Sequence, residues 1–197
     1  MNAPSTVSRA SARSMAQVAL FAALMAVMGL IPKIDLPLGV PITIQSLGMM
    51  LAGVMLGPWR GLQSMLLFLA AVAVGLPLLS GGRGGIAVFM APSAGYLVGY
   101  ALAAFVTGLL MHWLPQGRPL RTAASAFAAS LLGGLVFQHA CGVLGLVWVA
   151  KLSLSQAVMG TLVFVPGDLI KCLLCALVVH TVARGLPDWR FGGRQHA

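Results

Sequence analysis

The chain has 197 residues, of which 59% are hydrophobic and 8% are charged, and it carries a net charge of +9 at pH 7. Soluble domains carry about 25% charged residues, and a chain of this length keeps too much surface to hide so many apolar side chains from water. The composition therefore excludes a soluble globular domain and predicts an integral membrane protein that has the lipid bilayer as its solvent.

Six apolar segments follow one another along the chain, separated by polar or by glycine- and proline-rich stretches. A membrane-spanning helix needs about 20 apolar residues, or about 17 at the low end. We therefore expect an all-α integral membrane protein with six transmembrane helices in residues 15–186, between cytoplasmic tails at residues 1–14 and 187–197. The first segment has the basic start of a signal peptide but no small-residue cleavage site, and we interpret it as a retained helix. The predicted helices occupy residues 15–31, 42–56, 61–79, 91–113, 122–150 and 166–184.

The excess of basic residues has two candidate explanations, a nucleic-acid-binding face and the enrichment of Lys and Arg in cytoplasmic loops. With both termini inside, eight arginines fall in the inner segments, whereas Lys33, Arg83 and Lys151 fall in the outer ones. This distribution disfavours nucleic acid as a partner. It predicts a protein of the cell inner (plasma) membrane with cytoplasmic N- and C-termini.

Small residues form one face of the first predicted helix. Ala19, Ala22, Ala23 and Ala26 make overlapping A-x-x-x-A pairs, and membrane helices approach each other closely through such residues. The face either packs inside the bundle or provides a smooth docking surface for another membrane subunit. Periodicity alone does not separate the two.

Polar side chains occur near the outer end of the second predicted helix. Thr43 and Gln45 lie two residues apart after Pro41, and their hydroxyl and amide groups could hydrogen-bond a neutral polar ligand. The alternative interpretation is a helix cap together with an amide that takes part in packing.

A glycine cluster, Gly81-Gly82-Arg83-Gly84-Gly85, follows the third predicted helix, and Tyr96 lies shortly after it. Glycines permit a close approach of the backbone to a ligand, but the cluster lacks the G-x-x-x-x-G-K-[ST] pattern of a phosphate-binding P-loop. Arg83 could bind an anionic group of a ligand and Tyr96 a flat face. Arg83 could equally be an interfacial side chain that extends to the membrane surface.

Asp168 and Lys171 are the most informative pair in the sequence. A charged side chain at membrane depth costs about 2.5 to 3.5 kcal/mol on insertion scales and by default has a function. Residues three apart share a helix face, and Asp168 follows Pro166 in the first turn, where the helix dipole favours an anion. We interpret the pair as part of a binding site that opens to the outside. A structural ion pair is the alternative.

No arrangement of residues typical of catalysis or metal binding is visible. His139 and Cys141 are close in sequence, but no carboxylate accompanies them, and the chain has no Glu. Paired carboxylates for general acid–base catalysis are thereby excluded. Cys172-x-x-Cys175 lies in an apolar helix without a second pair, and we interpret it as helix packing. We expect no enzyme activity, no cofactor and no metal.

Taken together and in order, these motifs resemble the BioY family over nearly the whole chain. One departure is Ala91-Pro-Ser-Ala-Gly-Tyr96, where the family commonly reads G-P-T-G-G-Y. The matching residues are Pro41-x-Thr43-x-Gln45, Leu56-Gly57 with Gly61, Gly75-x-Pro77, Gly84-Gly85, Pro92-x-x-Gly95-Tyr96 with Gly99, and Pro166-Gly167-Asp168-x-x-Lys171.

The resemblance implies the S-component fold, a six-helix substrate-capture subunit (S component) of an energy-coupling-factor (ECF) importer that binds biotin near the outer surface. It implies as partners biotin, a transmembrane coupling (T) subunit, ABC ATPases and the lipid bilayer.

The resemblance also assigns roles to residues. Asp168 would accept hydrogen bonds from the ureido N–H groups of biotin, and Lys171 would donate to an oxygen. Gln45 and Tyr96 would line the site, Arg83 would bind the carboxylate, and residues 32–40 would form a lid. The substrate-binding set that we predict is Asp168, Lys171, Gln45, Thr43, Tyr96, Arg83, Gly84 and Gly85, and the alanines of the first helix form the docking surface.

Three other functions remain open at this point. The chain could be an S component for a different vitamin, such as thiamine or riboflavin. It could be a small membrane-embedded enzyme that acts on lipids, although no catalytic arrangement supports this. It could also be a structural helix bundle without a ligand.

Overall fold

A computed structural model of the chain describes residues 6–36 and 39–193. The described residues contain seven α-helices, two short 3₁₀ turns (Ile86–Met90 and Phe191–Gly193) and two isolated β-bridges but no strand. The all-α class is therefore confirmed. The helices are α1 (Thr6–Gly29), α2 (Gln45–Leu56), α3 (Pro58–Ala73), α4 (Ala94–Trp113), α5 (Pro119–Trp148), α6 (Leu154–Leu162) and α7 (Val165–Gly185).

Four of the described helices are long and apolar enough to cross a membrane: α1 from Ser11, α4, α5 and α7. The predicted number of six spanning helices is therefore not exact, because α2 has 12 residues and α3 has 16. A 12-residue helix is about 18 Å long, roughly half of a bilayer. Every residue of α2 is buried in the protein, so this helix need not match the thickness of the lipid.

A sharp turn at Gly57 connects α2 to α3. Its φ of +85° belongs to a region that glycine adopts without strain, and a Cβ there would lie 2.5 Å from the carbonyl oxygen of Gly192. The turn therefore needs glycine both for its backbone conformation and for the close approach of the C-terminal segment.

Several helix boundaries differ from the predicted ones. α1 begins at Thr6, inside the predicted tail of residues 1–14, and residues 1–5 lie outside the described part. α3 ends at Ala73 and not at residue 79, because a turn containing Gly75, with φ of +108°, precedes Pro77. Pro77 removes a backbone donor that a continuing helix would need.

Helix α6 lies inside residues 151–165, which the sequence led us to interpret as a connection. Its start is stabilised by a capping box, in which the Ser153 hydroxyl accepts from the backbone N–H of Gln156 and the Gln156 side chain accepts from the backbone N–H of Ser153. The S-x-x-Q pattern was the sequence signal for this helix.

The residues after α7 fold back onto the bundle and do not form a simple tail. The indole Nε1 of Trp189 donates to the carbonyl oxygen of Met55 at 3.3 Å, and Phe191 is buried. Residues 194–197 lie outside the description.

The core of the bundle is centred on α4, which packs against α2, α3 and α5. Its approach to α5 is close, since a Cβ on Gly95 would lie 2.6 Å from the Cα of Gly145. The middle of α5, Ser130–Phe137, is a π-helix. π-Helical turns often occur at functional sites, and this one directly precedes Gln138 and His139.

Helix α7 shows how the bundle divides its surface between protein and lipid. Its buried residues recur every three or four positions, at Asp168, Cys172, Cys175 and Val179. Large apolar side chains cover the rest, and Leu173 and Leu177 are about three-fifths exposed, at 59% and 60%. The two cysteines therefore lie in the packed core, as expected, and the exposed apolar face suits contact with lipid.

The alanines of α1 divide into two pairs. Ala22 is buried and Ala26 packs against the core, whereas Ala19 and Ala23 are exposed. The two interpretations of the small-residue face therefore apply to different residues. Ala22 and Ala26 pack inside the bundle, and only Ala19 and Ala23 remain available to another subunit.

Candidate ligand-binding site

Four helix segments meet around a small cavity at one end of the bundle: the first two turns of α2, α4 and α7, and the second half of α5. Residues from the loop before α2 and from the Leu79–Arg83 turn complete its wall. The cavity has a volume of about 50 Å³. It is lined by Val40, Pro41, Thr43, Gln45, Ser46, Leu79, Arg83, Ser93, Tyr96, Leu97, Tyr100, Gln138, His139, Phe164, Asp168 and Lys171.

The predicted Asp168–Lys171 pair is present and lines this cavity. Lys171 Nζ lies 2.7 Å from Asp168 Oδ1, and the side chains are 12% and 7% exposed. Ser46 at the start of α2 joins them, because its Oγ donates to Asp168 Oδ1 at 3.1 Å and accepts from Lys171 Nζ at 2.9 Å. The ion pair is thereby linked to a second helix.

His139 is a fourth member of this cluster, and sequence reasoning missed it. Its Nε2 lies 3.2 Å from Asp168 Oδ2, and its Nδ1 lies 2.8 Å from the carbonyl oxygen of Leu135. The sequence places no carboxylate close to His139. In the folded chain, helix packing brings the Asp168 carboxylate of α7 next to it.

The hydrogen-bonding capacity of the cluster is mostly used within the protein. Among the described residues, Asp168 Oδ1 accepts two hydrogen bonds and Oδ2 one, while Lys171 donates two. A carboxylate oxygen accepts about two hydrogen bonds and an ammonium group donates three. One acceptor position on Oδ2 and one N–H of Lys171 therefore remain for a ligand.

Gln45 lies at the cavity, but the chain satisfies its amide. Its Nε2 donates to the carbonyl oxygens of Met25 and Leu78 at 3.0 and 3.1 Å. Its Oε1 accepts from the backbone N–H and the hydroxyl of Ser80 at 3.3 and 3.4 Å. Gln45 therefore connects α1, α2 and the turn after α3, and this network holds the cavity wall.

Arg83 reaches the cavity from a tight turn. Leu79 and Arg83 exchange two backbone hydrogen bonds of 3.0 and 3.2 Å, and Gly81 and Gly82 between them have φ of +81° and +70°. The guanidinium Nη1 of Arg83 donates to Ser93 Oγ at 3.4 Å.

The other two predicted glycines do not line the cavity. Gly84 packs against the backbone of Leu76, and Gly85 donates its N–H to the carbonyl oxygen of Val72 at 2.8 Å. In this structure they shape the turn that carries Arg83 and make no wall for a ligand.

Aromatic side chains form the less polar wall. The Tyr96 hydroxyl is 2.8 Å from Thr161 Oγ1, and its ring centroid lies 5.7 Å from that of Phe164 and 6.2 Å from that of His139. Thr43 hydrogen-bonds the hydroxyl of Tyr100.

Gln138 is a further residue that sequence reasoning missed. Its Nε2 donates to the carbonyl oxygen of Tyr96 at 3.0 Å. Its Oε1 is buried and has no hydrogen-bond partner within the described part of the chain. A buried acceptor without a partner is costly, so a ligand donor would be favoured there.

A second and larger cavity, of about 1150 Å³, opens at the opposite end of the bundle. Arg13, Arg60 and Arg190 line it together with Asp188 and three tryptophans. It lies away from the buried ion pair, and its charged residues are exposed or half-buried. The smaller cavity is therefore the better candidate for a specific ligand site.

Comparisons with known proteins identify the family of the chain. The BioY family model matches residues 2–188. The chain belongs to the BioY family. It is 44% identical over 186 residues to the biotin transporter BioY of Rhodobacter capsulatus, covering 89% of this chain and 96% of that protein. It is 47% identical over 181 residues to the biotin transporter BioY of Rhizobium etli, covering 90% and 96%.

A solved structure shows the same fold. The S component for biotin from an ECF-type ABC transporter superposes with a TM-score of 0.82 at 30% identity, over 92% of this chain and 95% of that one. The family resemblance stated from the motifs is thereby confirmed. The chain is a multi-pass membrane protein and has the S-component fold.

Proposed function

We propose that this BioY-family chain is the biotin-capturing S component of an ECF-type vitamin importer and has no enzymatic activity of its own. The observation that carries the proposal is the buried Asp168–Lys171 pair at the cavity, with one acceptor position and one donor still available to a ligand. The names of the relatives support biotin as that ligand.

The chemistry of the biotin head group suits these two positions. Its ureido ring carries an N–H next to a C=O, so one edge presents a donor and an acceptor together. We assign the N–H to Asp168 Oδ2 and the C=O to Lys171 Nζ. The Oε1 of Gln138 is the acceptor for a second N–H.

The remaining parts of biotin suit the other walls. Tyr96 and Phe164 offer apolar faces to the bicyclic ring, and Arg83 lines the cavity as the cation for the carboxylate tail. Thr43 and Gln45 hold the wall through contacts within the chain. Gly84 and Gly85 have an indirect role, because they shape the turn that places Arg83 at the cavity.

Entry of biotin requires the cavity to widen. Pockets for small molecules measure about 300 to 1,000 Å³, whereas this cavity measures about 50 Å³. Val40 and Pro41 line it from the loop before α2, and the Ile34–Ile42 bridge holds that loop with two hydrogen bonds of 3.1 and 2.8 Å. We propose that this loop moves outward to admit biotin, as the lid expected from the sequence.

We further propose that the chain lies in the cell inner membrane with both termini cytoplasmic and docks onto a transmembrane coupling subunit with its ABC ATPases. The arginines at the end opposite to the cavity support this orientation. The exposed pair Ala19 and Ala23 on α1 is the docking surface, because small residues permit close helix contact.

Calorimetry on the purified protein in detergent tests the proposed ligand. We expect tight biotin binding that thiamine and riboflavin do not displace, and no turnover of lipid. Displacement by another vitamin with higher affinity would reassign the ligand, and absence of thermal stabilisation by any vitamin would favour a structural bundle.

A further inference from the structure

His139 makes contacts that define its protonation. Its Nδ1 lies 2.8 Å from the carbonyl oxygen of Leu135, and its Nε2 lies 3.2 Å from Asp168 Oδ2. A carbonyl oxygen and a carboxylate oxygen both accept hydrogen bonds, so each ring nitrogen must donate. Both nitrogens donate only in the imidazolium form, and His139 in this arrangement therefore carries a positive charge.

The charges around His139 come from several elements. Asp168 and Lys171 face it from α7, Arg83 lines the same cavity from the turn after α3, and the uncharged side chains of Tyr96 and Phe164 pack beside it. One negative and three positive groups leave the cavity with a net charge of +2. A site with this balance favours an anionic ligand.

The contact with Asp168 also controls geometry. Lys171 and Ser46 engage Oδ1, and His139 engages Oδ2, so the carboxylate is held from both sides. Without His139, the Asp168 side chain could rotate and present either oxygen. With it, the single remaining acceptor position has a defined direction.

We propose that His139 is a positioning residue of the ligand site: it holds Asp168 Oδ2 toward the ligand and, as a cation, supplies part of the charge that attracts an anionic ligand. The proposal rests on the proposed function, with biotin as the anion. His139 acts through Asp168 and through its charge.

Two substitutions distinguish a role of His139 as a hydrogen-bond donor to Asp168 from a role in packing alone. In His139→Gln, the side-chain N–H₂ can occupy the place of Nε2 and still donate to Asp168, but it carries no charge. In His139→Asn, the shorter amide reaches only the place of Nδ1. Calorimetry with biotin and with its uncharged carboxamide is performed on both variants and the unmodified chain, together with thermal unfolding without ligand.

We expect His139→Asn to weaken biotin binding roughly ten- to hundredfold, as for the loss of a charge-assisted hydrogen bond. His139→Gln keeps the donor to Asp168 and should bind the uncharged amide within about fivefold of the unmodified chain. The preference for biotin over the amide should be roughly three- to tenfold larger in the unmodified chain than in His139→Gln, because only the unmodified chain carries the charge.

Other outcomes would overturn the proposal. Equal biotin affinity in all three proteins would show that His139 has no role in binding. An equal loss of affinity in both variants would show that His139 contributes only by packing. An equal preference for biotin over the amide in the unmodified chain and in His139→Gln contradicts the role of the charge. Failure of the unmodified chain to bind biotin would instead reject the proposed function.

Discussion

The two ends of the bundle use charge in opposite ways. At the end with the small cavity, Asp168 and Lys171 are almost fully buried and engage Ser46 and His139. At the other end, Arg13, Arg190 and Asp188 are exposed around a cavity more than twenty times as large. Buried charges interact strongly and hold a fixed geometry, whereas exposed charges are screened by water and salt.

This difference supports the small cavity as the proposed ligand site. A buried cluster with few remaining hydrogen-bond positions can discriminate between ligands, because a mismatched ligand leaves a buried polar group without a partner. Exposed arginines beside tryptophans are typical of a membrane–water interface and tolerate substitution. Substitutions of like kind at the two ends should therefore have unequal effects on biotin affinity.

Asp168→Asn should give the largest effect. The amide is nearly isosteric, but it removes the negative charge that pairs with Lys171 and that His139 contacts, and so leaves the Lys171 ammonium group buried without its counterion. We expect biotin affinity measured by calorimetry to fall by about a hundredfold or more. Asp188→Asn at the open end is the control and should change affinity by less than about twofold. Similar losses in both variants would contradict the contrast between the ends.

Lys171→Met should come next. It keeps most of the side-chain volume but removes the donor to Asp168, Ser46 and the ligand oxygen. The expected loss of biotin affinity is roughly ten- to hundredfold. Arg190→Met in the large cavity is the matched control, and its titration should overlay that of the unmodified chain. Retention of full affinity by Lys171→Met would leave the ion pair with a structural role only.

Gln45→Leu should affect stability more than binding. The substitution leaves the carbonyls of Met25 and Leu78 and the N–H of Ser80 without their partner in a buried region. We expect about 2 to 4 kcal/mol of destabilisation, seen as a lower unfolding temperature, and a loss of biotin affinity below about tenfold.

Gln17→Leu serves as its counterpart at the open end. Gln17 accepts a single hydrogen bond, from Arg60 Nη1 at 2.7 Å, and both residues are only half-buried. The unfolding temperature should hardly change. A large drop in unfolding temperature for Gln17→Leu, or no drop for Gln45→Leu, would show that burial does not govern the loss of stability.

Ala23→Trp should have the smallest effect on biotin affinity, because Ala23 is exposed on α1, away from the cavity. The bulky side chain should nevertheless block close helix contact and prevent copurification with the coupling subunit. Leu20→Trp, on the same helix at a position that is already large and 64% exposed, is the control. Normal assembly of Ala23→Trp would place the docking surface elsewhere.

The helix boundaries show how far the sequence could be interpreted. Hydrophobicity predicted α4 and α5 to within three residues at each end because an apolar segment longer than 18 residues has few other stable states. It overestimated α3, where Gly75 and Pro77 stop the helix inside an apolar run. The prediction from hydrophobicity missed α6, because the residues around the capping box at Ser153 are too polar to read as an apolar segment.

The residues of the site also divide into those that the sequence could predict and those that it could not. Asp168 and Lys171 could be found from the sequence, because charges in an apolar helix are rare and three-residue spacing places them on one face. His139 could not, since its carboxylate partner lies on another helix. The glycine motif was found, but its role was not, because only the folded turn shows Arg83 reaching the cavity while Gly84 and Gly85 pack elsewhere.

The sequence by itself determined the membrane class, the helical composition, the family and the identity of the central ion pair, because these depend on composition and on neighbours along one helix. The tertiary structure alone decided which polar groups converge on Asp168, which alanines remain exposed on α1, and how α2 can be too short for the bilayer. These properties depend on contacts between helices distant in sequence, and hydrophobic periodicity carries no information about which helix faces which.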